Sequence, residues 1–102
     1  MSAGQGSFTL IRDIKDKMIV NIHGIVDYCK KPTSLKKLGE FCMSLKIVDE
    51  TSVDGLPCVL FGTLETLPVQ IQEGDIVRFK SLRIGKYKNY GLQAKNTRWF
   101  QW

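Results

Sequence analysis

Arg78, Lys80, Arg83, Lys86, Lys88, Lys95 and Arg98 lie between Ile76 and Trp102, a stretch with no acidic residue. Phe79, Tyr87, Tyr90, Trp99, Phe100 and Trp102 are interleaved with them. Ammonium and guanidinium groups attract phosphates and release condensed counterions, and flat rings stack on unpaired bases. The pattern suits a flexible polyanion with exposed bases, that is, a single-stranded nucleic acid. The charge is regional. The chain carries 15 Lys and Arg against 10 Asp and Glu, a net +5, yet residues 1–75 hold 8 basic and 10 acidic groups. The whole cationic excess therefore sits in this last quarter.

Upstream residues offer the same chemistry. Phe61 closes the run Cys58-Val59-Leu60-Phe61. Successive side chains of a strand point to opposite faces, so Leu60 and Phe61 cannot both fill one interior. One must face outward, and a ring there is a stacking platform. The plainer alternative is that Phe61 is core. Tyr28 precedes the pair Lys30 and Lys31, and Lys36 and Lys37 follow in the same loop. These lysines suit phosphates, or are simply a solvated surface. Tyr87 and Tyr90 flank Lys88 and Asn89 in a short loop. Arg83 has the planar fork that pairs bidentately with guanine. Glu40 could accept a bond from a base amino group, or be an exposed charge. Trp99, Phe100 and Trp102 are expected to split between core and surface: alternation puts Phe100 and Trp102 on one face and Trp99 on the other, with packing expected before function.

Those residues need a scaffold. At 102 residues, 43% hydrophobic and 25% charged, the chain suits one compact domain. No apolar run approaches the roughly 20 residues of a membrane-spanning helix, so no membrane partner is expected. Residues 1–7, Met-Ser-Ala-Gly-Gln-Gly-Ser, are small and polar. They are expected to be disordered, and residues 8–102 to form a single domain. Cys29, Cys42 and Cys58 are odd in number and lack Cys-x-x-Cys spacing, which points to a reducing compartment. Cys42 and Cys58 read as small buried apolar residues. His23 is the single histidine and reads as a strand side chain. A zinc site from it and the thiols would need an unusual arrangement. Neither metal nor cofactor is expected. No paired carboxylates, catalytic triad or phosphate loop stands out, so no enzyme is expected.

Met18–Tyr28 is rich in β-branched residues and interrupted by Gly24, which predicts a long strand bent at the glycine. Residues 29–39 read as a loop, Phe41–Asp49 as a second strand, Glu50–Gly55 as a turn and Leu56–Phe61 as a third strand. Thr63–Gln72 suggests a short helix or helical turn broken by Pro68. Ile76–Ile84 is the fourth strand, Gly85–Gly91 a hairpin loop and Leu92–Trp102 the fifth strand. An all-β, five-stranded OB-fold Greek-key barrel, with a short helix between strands three and four, has this layout. Its ligands lie on strands two and three and on loops 1–2 and 4–5. Loop 1–2 carries the lysines and loop 4–5 the tyrosines.

The chain also resembles the first OB-fold of the telomere end-binding proteins, the protection-of-telomeres proteins and the ciliate alpha subunit. The matching residues are Ile19–Val26, Lys30-x-Pro32, Phe41-Cys42, Ile47–Thr51, Cys58–Phe61, Leu67-Pro68, Gly74–Phe79 and Leu82–Lys88. G-D-I-V-R-F alone occurs in many OB-folds, but the order and spacing of the whole set are more specific. The resemblance implies a G-rich telomeric single strand as ligand, end protection and control of telomerase access, and a nuclear, telomeric location. It implies a monomer, with other telomere-complex proteins contacted through regions outside this chain. Tyr28, Lys30, Phe61, Tyr87 and Lys88 match DNA-contacting positions, and Arg83 and Glu40 lie at or near them. Cys29 stands where relatives carry an aromatic, Lys31 and Thr33 where they carry a proline and a tyrosine, and Tyr90 where an amide is expected. Two other readings use the same residues: a general single-stranded nucleic-acid binder, and a protein-interaction OB-fold that meets an acidic partner.

Overall fold

A computed structural model describes residues 7–87 and 91–102. Six strands follow a single 3-10 turn at Ile11–Asp13: β1 (Ile19–Cys29), β2 (Thr33–Ser34), β3 (Phe41–Asp49), β4 (Ser52–Gly62), β5 (Ile76–Tyr87) and β6 (Gly91–Gln101). They hydrogen-bond in the order β1-β5-β6-β4-β3-β2, and β1 also pairs with β3. That last pairing closes five strands into a barrel and leaves the two-residue β2 outside, on the edge of β3. The fold is the expected OB-type barrel.

Closure needs β1 to serve two partners. Ile19–Ile25 pair with β5, and Ile25–Cys29 pair with β3. Gly24 sits at the changeover, where a Cβ would collide with the Val48 carbonyl oxygen and the Ile47 side chain. Only a bare backbone lets β1 cross β3 this closely.

The interior follows the period-two rule. Val20, Ile22 and Val26 of β1, Met43, Leu45 and Ile47 of β3, and Leu56, Cys58 and Leu60 of β4 are buried at alternate positions. β5 obeys the rule in two halves. Val77 and Phe79 point inward, and then Leu82 and Ile84 do. A bulge at Ser81, held at φ 65°, shifts the phase. Asn21 Oδ1 accepts the Ser81 N–H at 3.0 Å, and the Thr97 hydroxyl donates to the Ser81 carbonyl at 2.9 Å. These bonds hold a non-glycine residue in the left-handed region. Phe79 fills the barrel end, edge-on to Phe100 with ring centroids 5.3 Å apart.

Asp49 fastens the lead-in to the barrel. Its carboxylate accepts the Ile11 N–H at 2.8 Å, the Thr51 N–H at 2.8 Å and the Thr51 hydroxyl at 2.6 Å. Burial alone would raise this carboxyl. The hydrogen bonds from Thr51 and from the Ile11 and Ser52 backbone outweigh it and hold Asp49 below the usual carboxylate value.

Several sequence expectations change. The expected short helix between the third and fourth barrel strands is one helical turn: the Leu67 N–H donates to Thr63 O at 3.0 Å, and Pro68 then supplies no donor. The expected turn at Glu50–Gly55 is largely strand, because β4 begins at Ser52; of the expected hairpin loop at Gly85–Gly91, residues 85–87 belong to β5 and Gly91, paired with Tyr87, to β6, while residues 88–90 lie outside the described residues. Cys42 is only half-buried, since it lies on the outer phase of β3; Cys58 is buried, and its thiol is pushed up to about 12. Trp99 is exposed while its neighbour Phe100 packs edge-on against Phe79. Trp102 is half-exposed and donates its indole N–H to Thr66 O at 3.1 Å. Of the residues expected to be disordered, 1–6 lie outside the described residues, and the Ser7 carbonyl accepts the Asn21 side-chain amide at 2.8 Å.

Candidate nucleic-acid interface

The barrel's outer surface across β1, β3, β4, β6 and β5 gathers most of the candidate side chains. Tyr28 pairs with Lys46 across β1–β3, and Lys46 with Pro57 across β3–β4. The next outward row holds Ser44, Val59, Lys95 and Arg83, linked by the pairs Ser44–Val59, Val59–Lys95 and Arg83–Lys95. One step further lie Cys42 and Phe61, themselves a cross-strand pair. Tyr87 lies two positions beyond Gly85 on the same phase of β5 as Arg83. Tyr28, Phe61 and Tyr87 are 48%, 43% and 49% exposed. None is swallowed by the interior, and adjoining strands join all three.

Phe61 faces outward because Leu60 takes the interior place, which settles the choice that alternation had left open. Its backbone is fixed by a residue that the sequence reading missed. β4 and β6 form a short parallel ladder at Cys58–Ala94 and Val59–Lys95. Asn96 then continues that ladder with its side chain: its Oδ1 accepts the Phe61 N–H at 2.9 Å and its Nδ2 donates to the Phe61 carbonyl at 2.8 Å. The amide replaces a missing peptide group and sets the base of the ring.

Arg83 depends on the Ser81 bulge. Without the phase shift, the alternation from Val77 and Phe79 would carry position 83 into the core. With it, Arg83 stands outward, directly opposite Lys95. Like charges facing each other across a strand pair are destabilising, and neither has an acidic partner in an ion pair among the described residues. A phosphate between them would relieve that repulsion. The Lys95 ammonium also lies 5.6 Å from the centre of the Tyr87 ring, a cation–π distance.

The loop residues divide. The Lys30 N–H donates to Ser44 O at 2.9 Å, which ties this exposed lysine to the edge of the same face. Glu40 shares a shallow recess of ≈ 250 Å³ with Phe61, Phe41 and Thr63. Lys31 is not brought to this group; it lines a different recess with Cys29, Val69 and Glu73 at the barrel end. Beside it, burial, and then the charges of Glu73 and Asp75, raise the Cys29 thiol. Lys88 and Tyr90 lie outside the described residues. Among the described residues, no three His, Cys, Asp or Glu side chains converge where they could hold a metal ion.

The chain is similar to known proteins. The family model described as telomeric single stranded DNA binding POT1/CDC13 matches residues 3–102. Protection of telomeres protein 1 of Homo sapiens is 43% identical over 82 residues, 79% of this chain and 13% of that protein. The protein of the same name from Mus musculus is 39% identical over 90 residues, 87% of this chain and 14% of that protein. The chain thus spans about one-seventh of the length of these relatives. The crystal structure of fission yeast Pot1 with single-stranded DNA has the same fold, with a TM-score of 0.80 over 99% of this chain and 36% of that one, at 24% identity. By the family match along nearly its whole length, the chain belongs to the telomeric single-stranded DNA-binding POT1/CDC13 family.

Proposed function

We propose that this domain binds single-stranded, G-rich telomeric DNA on the outer face of β3 and β4, and so contributes to chromosome-end protection and to the control of telomerase access. The observation that carries the reading is the outward Phe61 ring, its backbone clamped by Asn96, with the cations Lys95 and Arg83 in the adjoining outward row. Bases stack on Phe61, Tyr28 and Tyr87, and cations hold the phosphates. Family membership supports the choice of a telomeric strand over an arbitrary one.

The domain acts by binding, with no catalytic step, as a monomer at nuclear chromosome ends. Contacts to other telomere proteins belong to regions outside this chain. The experiment is a direct comparison of affinity for a G-rich telomeric repeat and for oligo-dT at fixed salt. Selective binding of the repeat supports the proposal. Equal affinities support a general single-strand binder instead, and no binding of either strand at low salt supports a protein-interaction OB-fold.

A further inference from the structure

Gln93 Oε1 is buried and has no hydrogen-bond partner among the described residues. An acceptor cut off from water and left unpaired is destabilising, and native proteins keep few of them. Its position gives it a use. Ala94 points into the barrel, so Gln93 takes the outer phase of β6. There it lines a recess of ≈ 460 Å³ with Tyr28, Ser44, Lys46, Pro57 and Val59. Pro57 and Val59 give an apolar floor and Tyr28 a ring at one side. The Lys46 ammonium turns to Asp27 at 3.4 Å, and Oε1 is left unpaired. The terminal amide torsion of Gln is broad and soft, so a small rotation turns this oxygen toward an occupant of the recess.

We propose that Gln93 selects guanine at this recess. A base lying over Pro57 and Val59 beside Tyr28 presents its edge to the Gln93 amide. Guanine offers two adjacent donors, N1–H and N2–H2, to one carbonyl oxygen. Thymine offers a single N–H flanked by two carbonyls, which Oε1 repels. The inference rests on the binding function proposed above and adds the residue that chooses the base.

The test compares wild-type chain with Gln93→Met, which keeps length and loses both polar atoms. Each guanine of a telomeric oligonucleotide is replaced in turn by inosine, which lacks the N2 amine. Wild type should lose about tenfold in affinity at one guanine position, the scale of a good base contact. Gln93→Met should bind the all-guanine strand about tenfold more weakly and no longer distinguish guanine from inosine at that position alone. It should melt at or above the wild-type temperature, because an orphaned acceptor has gone. A Met variant that keeps the wild-type inosine profile overturns the inference, whether or not its overall affinity falls. So does one that melts below wild type, since the amide is then structural. Failure of wild type to bind any single strand overturns the binding function itself.

Discussion

Phe61, near the end of β4, and Trp99, near the end of β6, are both exposed aromatic residues, and Trp99 is the more exposed, at 70% against 43%. Their surroundings differ. Phe61 has Asn96 locked to both polar atoms of its backbone, Cys42 opposite it, and Lys95 and Arg83 in the adjoining row. Trp99 already has the Arg98 guanidinium 5.1 Å from its ring centre, and its own N–H is taken by the Thr97 hydroxyl at 3.1 Å. Arg98 would have to move before a base could use that face. Exposure alone does not make a stacking platform; Phe61 adds a backbone held at both polar atoms, and a base stacking on Tyr87 uses the ring face that Lys95 leaves open.

The contrast can be broken by experiment. Phe61→Ala should weaken single-strand binding by about 1–3 kcal/mol, read by fluorescence anisotropy, with little change in melting temperature because the ring is outside the core. Asn96→Ala strips two backbone groups of their partner and should reduce stability by about 0.5–1.5 kcal/mol. It should also weaken binding, by less than Phe61→Ala, and a variant that loses stability alone would separate the clamp from the platform. Lys95→Ala should weaken all sequences alike and lower the salt slope of binding by about one unit. Trp99→Ala should stay within about 0.5 kcal/mol of wild type in affinity; a loss equal to that of Phe61→Ala would erase the distinction.

A control lies away from the face. Asp49 is held below its ordinary carboxylate value in the folded protein. Its stabilisation is therefore complete above the unfolded carboxylate range and is lost as pH falls through the lowered value. Asp49→Asn should melt earlier than wild type near neutral pH, with the gap shrinking in acid, and should leave DNA affinity unchanged.

Much of this was legible in the sequence. β-branched runs mark the barrel strands, and alternation shows that one of Leu60 and Phe61 must face outward without saying which. Tyr28 and Tyr87 stand out in the sequence as rings beside lysines, and both are exposed. What escaped depends on phase. The Ser81 bulge shows in the sequence only as the step from Val77 and Phe79 to Leu82 and Ile84, and the strand register that sets Arg83 opposite Lys95 is not derivable from it. Lys80 pairs with Gln101 and Leu82 with Asn96, so four residues of β6 answer one of β5. Asn96 and Gln93 are neutral polar residues in a strand, and their roles depend on where β6 parts from β4 and on what covers the amide. Lys31 was grouped with Lys30 by adjacency, yet neighbours on an extended chain diverge.

The most direct measurement is amide chemical-shift mapping of the chain titrated with a G-rich telomeric oligonucleotide. Perturbations centred on Tyr28, Ser44, Lys46, Val59, Phe61, Arg83, Tyr87, Gln93 and Lys95, with Trp99 and Ile25 unmoved, are the predicted result. Perturbations centred on Trp99 or on the outer face of β1 and the start of β5, with Phe61 and its neighbours silent, would contradict the account.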